Sequence, residues 1–179
     1  MDVKLSKRLE IIASIVPKSI VADIGSDHGK LMIELFNSGK ITKGYAVENK
    51  QGPYNRLVKA LEEEGIIDNV IPMLSDGISE LPKCVNTVVI AGMGGKLIVN
   101  ILKKDLSKLE NVQTLVIDAH SNLPYVREEI SKLGFQIAEE IIVKEEGVFY
   151  EIIKFVKSAI AFYSEDDFEF GPILRKEKN

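Results

Sequence analysis

From residue 19 to residue 133 the chain alternates β-branched apolar runs with stretches of helical periodicity, and this alternation constrains the fold more than any other feature. Residues 19–24, 43–48, 69–74, 87–91 and 114–119 read as strands, and 28–38, 53–64, 95–104 and 124–133 as helices. Strands joined through helices run parallel, and a parallel sheet must be covered on both faces, so the pattern predicts a doubly wound α/β fold. Ahead of it, Leu5, Leu9, Ile12, Ile15 and Val16 recur at helical spacing and Pro17 stops the pattern, which predicts a first helix lying on the sheet. The last third changes character. Runs 136–144 and 148–157 are separated only by Glu145-Glu146-Gly147, too few residues for a parallel crossover, so an antiparallel hairpin is expected at the edge of a mainly parallel seven-stranded sheet.

Hydrophobic residues make up 45% of the 179 positions and charged ones 28%, enough for one substantial core; we expect a domain over 1–160 and an acidic, aromatic tail over 161–179. The single cysteine, Cys84, excludes an internal disulfide and fits a reducing compartment. Apolar runs such as 88–91 are far shorter than the ~18 residues that span a bilayer. Lys7, Arg8 and Glu10 interrupt the first apolar stretch, unlike a signal peptide, so no membrane association and a cytoplasmic location are expected. No metal is expected, and a monomer is the favoured state. A net charge of −4 gives no general pull toward phosphate backbones, so any nucleic acid needs a local basic surface. Arg8, with Lys4 and Lys7, is the candidate for one; such residues are ordinarily solvated faces.

In open α/β sheets ligands sit beyond the carboxyl ends of the strands. Those positions hold Asp23, Gly25, Ser26, Asp27, His28 and Gly29 after the first strand, Glu48 and Asn49 after the second, and Asp76-Gly77 after the third. The fourth strand is followed by Ala91-Gly92-Met93-Gly94-Gly95 and the fifth by Asp118, His120 and Asn122. The first loop departs from the dinucleotide-binding fingerprint in one informative position: Asp27 replaces the glycine that lets backbone approach a pyrophosphate. A carboxylate there repels phosphate and suits a cationic, phosphate-free nucleoside. S-adenosylmethionine answers that description, with Asp23 or Asp27 near its ammonium group, Glu48 at the ribose hydroxyls, and Asp76-Gly77 at the adenine. The glycines of 92–95 free space for a flat substrate, against which Met93 packs. Each position also has a plainer reading: a turn carboxylate, a helix cap at Asn122, a tight turn at the glycines.

These residues resemble the bacterial TrmK-type tRNA (adenine-N1) methyltransferases. The resemblance runs from Leu5-Ser6-Lys7-Arg8-Leu9 through Asp23-Ile-Gly-Ser-Asp-His28, Glu48-Asn49, Gly52-Pro53-Tyr54, Ser75-Asp76-Gly77 and Ile90-Ala-Gly-Met-Gly-Gly95 to Ile101-Leu102. It continues at Val126-Arg127, Gly147-Val-Phe-Tyr150-Glu151 and Phe170-Gly171-Pro172. It implies a class I, Rossmann-like methyltransferase sheet, S-adenosylmethionine as cofactor, and an adenine of tRNA, position 22 in the family, as acceptor. The family motif continues Ala-Tyr-Leu-Pro where this chain has Gly29-Lys30-Leu31-Met32. After the fifth strand Asp118-Ala119-His120-Ser121-Asn122 stands where Gln-Pro or Gln-Ala then Asn is usual, and 161–179 is expected to lack the family's helical extension.

The expected site is therefore a cofactor set of Asp23, Gly25, Ser26, His28, Glu48, Asn49, Asp76, Gly77, Ala91, Gly92 and Met93. Asp27, His28 and Asn122 are expected to orient the base, and Met93, Gly94, Gly95, His120 and Arg8 to line the substrate side. Adenine N1 carries an in-plane lone pair, so alignment rather than a strong base is the requirement. A different small-molecule or RNA acceptor, and a donor-binding module without catalysis, are the alternatives.

Overall fold

The computed structural model describes residues 4–159 and 161–177. It contains α1 (Lys7–Ile15), β1 (Val21–Ile24), α2 (Lys30–Asn37), β2 (Gly44–Glu48), α3 (Gln51–Glu63), β3 (Val70–Leu74), β4 (Thr87–Met93), α4 (Gly95–Lys104), β5 (Thr114–Ala119) and α5 (Leu123–Lys132). There follow β6 (Phe135–Glu145), β7 (Val148–Lys157), α6 (Glu165–Phe170) and α7 (Pro172–Lys176). The seven strands lie in the order β3-β2-β1-β4-β5-β7-β6. All pairs from β3 to β5 are parallel, and β7 is antiparallel to both its neighbours.

Strand residues divide by parity between two cores. Val21, Ala46, Val89 and Val116 face α1, α2 and α3 through Ile12, Leu35, Leu57 and Leu61. Ala22, Val47, Ile90 and Leu115 face α4 and α5 through Ile98, Leu102, Val126 and Ile130. Burial on both faces is why β1, β2 and β5 read as largely apolar runs without polar alternation, each carrying one acid near its carboxyl end. Pro72 lies on β3, an edge strand, where its missing N–H leaves no central ladder bond unmade. The connection from β3 to β4 uses turns in place of a helix and plugs the core with Ile78, Leu81 and Val85.

Element ends shift for local reasons. Helix α2 starts at Lys30, two residues later than the periodicity suggested, because Gly29 takes a left-handed conformation before it. Helix α3 starts at Gln51, ahead of Pro53, which is tolerated because first-turn N–H groups have no helical partner. The hairpin turn is Glu146-Gly147, both at positive φ (49° and 82°), the geometry a two-residue turn of this hand needs. The segment read as a tail is ordered through residue 177, with the rest outside the described residues. Ser164 and Asp167 form a reciprocal capping box on α6, and the Glu140 carboxylate accepts Ile173 and Leu174 N–H at the start of α7.

Arg127, fully buried on α5, ties these parts together. It donates to Glu140 (2.8 Å), to Glu151 and to the Phe168 carbonyl (3.1 Å), joining α5, both hairpin strands and α6. Removing it leaves a buried Glu140 without its cation. Arg127→Ala is expected to destabilise the protein by about 3–5 kcal/mol in urea unfolding, and Arg127→Lys to restore only part, since one ammonium cannot copy the fork.

Candidate active site

The winding direction changes between β1 and β4, and a crevice of about 320 Å³ opens there, lined by Arg8, Leu9, Asp23, Gly25, Ser26, Asp27, His28, Lys30, Leu31, Ala91 and Gly92. The loop after β1 is held in place by backbone and carboxylate bonds to β2. Gly25 N–H and Ser26 N–H donate to the Val47 carbonyl (2.9 and 3.2 Å), and Asp27 N–H donates to Glu48 Oε1 at 2.5 Å. Gly25 sits at φ +78°, a conformation that favours glycine, and a Cβ there would lie 2.6 Å from Met93 Cε, so any side chain would have to push Met93 aside where the first and fourth strand ends meet.

Asp23 is buried, and its Oδ2 accepts the Ser26 hydroxyl at 2.8 Å. Burial pushes its pKa up to about 6; the Ser26 hydrogen bond pulls it down, and the neighbouring Glu48 charge pushes it further up. Asp27, at φ +40°, turns its carboxylate outward, with Oδ1 3.7 Å from His28 Nε2 and 3.5 Å from Arg56 Nη2. Both Asp27 and His28 are more than half exposed, at the mouth of the crevice. Asn49 is exposed beside Glu48. At the end of β3, Asp76 pairs with Lys104, and Gly77, at φ +59°, lies under Ile101.

A second cluster borders the crevice at the end of β5. Asp118 is wholly buried, and neither of its oxygens has a hydrogen-bond partner. Arg8 Nε lies 3.3 Å from Asp118 Oδ2 and 3.8 Å from Glu145 Oε2, and its Nη1 donates to His120 Nε2 at 3.1 Å. The guanidinium stacks 4.4 Å from the centre of the Tyr150 ring. Burial raises the Asp118 pKa, while the Arg8 charge opposes that rise. A guanidinium has only donors, so the Arg8 bond requires an unprotonated His120 Nε2.

The crevice gathers Arg8, Asp23, Gly25, Ser26, Asp27, His28, Ala91 and Gly92 from the expected set. Met93 touches it through Gly25. Gly95 serves packing instead: a Cβ there would lie 2.3 Å from the Ser121 carbonyl oxygen, so glycine lets α4 start against the β5 loop. Gly94 lies beside the Ser121 hydroxyl in the same contact. His120 joins the Arg8 cluster, while Asn122, exposed and at φ +55° ahead of α5, is outside the crevice lining. Sequence reasoning missed Leu9, Lys30 and Leu31 as lining, and Asp118, Glu145 and Tyr150 as partners of Arg8. Only Asp118 carried a signal: an acid closing an otherwise apolar strand. Among the described residues no group of three or more His, Cys, Asp or Glu is arranged to hold a metal, and no helix is long and apolar enough to cross a membrane.

Fold and crevice define a methyltransferase domain, and the family model of that description matches residues 5–153. The tRNA (adenine(22)-N(1))-methyltransferase of Bacillus subtilis is 30% identical over 99% of this chain and 78% of its own length. Its crystal structure superposes with a TM-score of 0.93 at 30% identity, covering 99% of this chain and 79% of that one. A Streptococcus pneumoniae protein solved with S-adenosyl-L-methionine superposes at 0.94 with 38% identity, covering 98% and 83%. The chain belongs to the tRNA (adenine(22)-N(1))-methyltransferase family.

The raised Asp23 pKa has a stability signature. The folded chain holds a proton on Asp23 from its ordinary value near 3.8 up to about 6, where the unfolded chain has released it. This group therefore disfavours the folded state progressively as pH rises through that window, by roughly 3 kcal/mol in total. Asp23→Asn is expected to flatten the loss of stability between pH 4 and 6, measured by urea unfolding at each pH.

Proposed function

We propose that this chain transfers the methyl group of S-adenosylmethionine to N1 of adenine 22 in tRNA, acting as a monomer in the cytoplasm, with residues 1–160 as its catalytic domain. The observation that carries the reading is the polarity of the crevice: its buried polar groups are the Asp23 carboxylate and the Ser26 hydroxyl, at a strand-end loop that turns Asp27 toward the mouth. That donor set fits a cationic, phosphate-free cofactor and opposes a pyrophosphate. The family relatives support the same choice, one by its name and one by its bound ligand.

Bound S-adenosylmethionine supplies a methyl group on a positively charged sulfur. Asp23 and Ser26 hold the ammonium end, Glu48 and Asn49 the ribose, and Asp76 and Gly77 the adenine edge, while Gly25, Ala91, Gly92 and Met93 form the wall. Glu48 serves two purposes, since one oxygen already fixes the Asp27 N–H. Asp27 and His28 at the mouth, with Asn122, orient the incoming base, which must leave its stack to reach the crevice. Arg8 and His120 border its path. Transfer would form the N1–methyl bond as the sulfur–methyl bond breaks, leaving S-adenosylhomocysteine and a cationic N1-methyladenine, so these residues need only align the base and exclude water and need no strong base.

Incubation of the protein with labelled donor and unmodified bacterial tRNA, followed by nucleoside analysis, is expected to yield labelled N1-methyladenosine. Asp27→Ala is expected to lower kcat/KM by about 100-fold. Donor affinity in calorimetry should strengthen as pH rises through about 6, where Asp23 ionises. Donor binding with no transfer to any RNA would leave a binding module in place of an enzyme.

A further inference from the structure

The β6–β7 hairpin overhangs the ligand side of the sheet. Strand β7 pairs with β5 only as far as Ile152 opposite Asp118, so residues 148–151 run on past the end of β5 to the turn. Register places Ile142 opposite Glu151 and Lys144 opposite Phe149, which puts these four side chains on one face. That face sets two large exposed apolar side chains between the charges of Lys144 and Glu151: Phe149 is 67% exposed and Ile142 51%, with Val148, 50% exposed, beside the turn. With Leu123, His120 and Glu151 they line a groove of about 290 Å³.

Three features say what the groove suits. Its inner end is His120, which is bonded to Arg8, and Arg8 lines the crevice, so one side-chain pair separates groove from crevice. At the rim the Lys144 ammonium lies over the Phe149 ring, 5.3 Å from its centre, so a cation sits against one face of an aromatic side chain that is otherwise largely exposed. On the wall, the Glu151 carboxylate is held by buried Arg127 as a fixed hydrogen-bond acceptor. An aromatic face with an adjoining cation and an acceptor matches a nucleobase carrying an exocyclic amino group and a nearby phosphate.

We propose that this groove is a second nucleobase subsite, in which Phe149 stacks a base of the RNA strand flanking the adenine that enters the crevice. The inference rests on the proposed function, because it takes RNA as the strand that passes Arg8. Extruding the target base leaves its neighbour with an uncovered face, and Phe149 covers it at the distance of one side-chain pair from the reacting site.

The chain contains no tryptophan, so Phe149→Trp creates a single emitter. Its fluorescence is expected to be quenched by unmodified tRNA and unchanged by S-adenosylmethionine alone. Phe149→Ala is expected to raise KM for tRNA about tenfold, the loss of one base–aromatic stack, with donor affinity and circular dichroism unchanged, and Phe149→Tyr to restore it. A Phe149→Ala enzyme with wild-type KM overturns the subsite. So does a concentration-dependent dimer of the wild type that Phe149→Ala abolishes while KM for tRNA stays fixed, since the patch then faces a second copy. A wild type that binds donor but methylates no tRNA overturns the proposed function instead. The groove is then judged by quenching of Phe149→Trp with a single-stranded oligoribonucleotide, whose absence overturns it too.

Discussion

Because a parallel strand–helix–strand connection is right-handed, moving from β1 to β2 and β3 lays α2 and α3 on one face, while resuming at β4 and moving the other way lays α4 on the opposite face. The two windings part between β1 and β4, where no helix can close over the strand ends. The crevice is thus a product of handedness before any side chain is considered. Side chains then decide what it accepts: glycine at position 25 leaves room for Met93 where the two strand ends meet, and Asp23 and Asp27 set the sign of charge.

Three carboxylates are buried at this edge, and each is accommodated differently. Glu48 accepts a backbone N–H, which makes its charge part of the loop's framework. Asp118 lies against Arg8, close enough for attraction though not aligned for a hydrogen bond. Asp23 is buried with only a neutral hydroxyl to offset the loss of water, so it retains a proton to higher pH than an exposed acid. A buried acid with so little compensation beside a crevice marks a candidate site rather than a structural ion pair.

Much of this was legible in the chain because the relevant signals are local. Doubly buried strands produce largely apolar runs, and strand-end residues follow each run directly, so Asp23 through His28, Ala91 and Gly92 could be assigned to one edge without coordinates. What escaped notice depends on distant partners. Gly95 reads as space for a substrate until Ser121 is seen filling it. Helices α6 and α7 are too short to show periodicity, and they are held by Ser164, Asp167 and by Glu140 from another element. Nothing local to Tyr150 or Glu145 points to Arg8, because their connection to it spans most of the chain.

That last connection bears on when the protein becomes competent during synthesis. Helix α1 leaves the ribosome first, yet Arg8 is held by Asp118 from β5, Glu145 from β6 and Tyr150 from β7, and α1 packs on β6 and β7. Its docking must wait for residues made more than a hundred positions later, a long-range closure that is intrinsically slow. Until then one wall of the crevice is absent, so a partly made chain lacks the complete crevice even after its first strands and their glycine loop have formed. Completion of the hairpin, rather than formation of the first strand-end loop, marks the point at which the crevice can be whole.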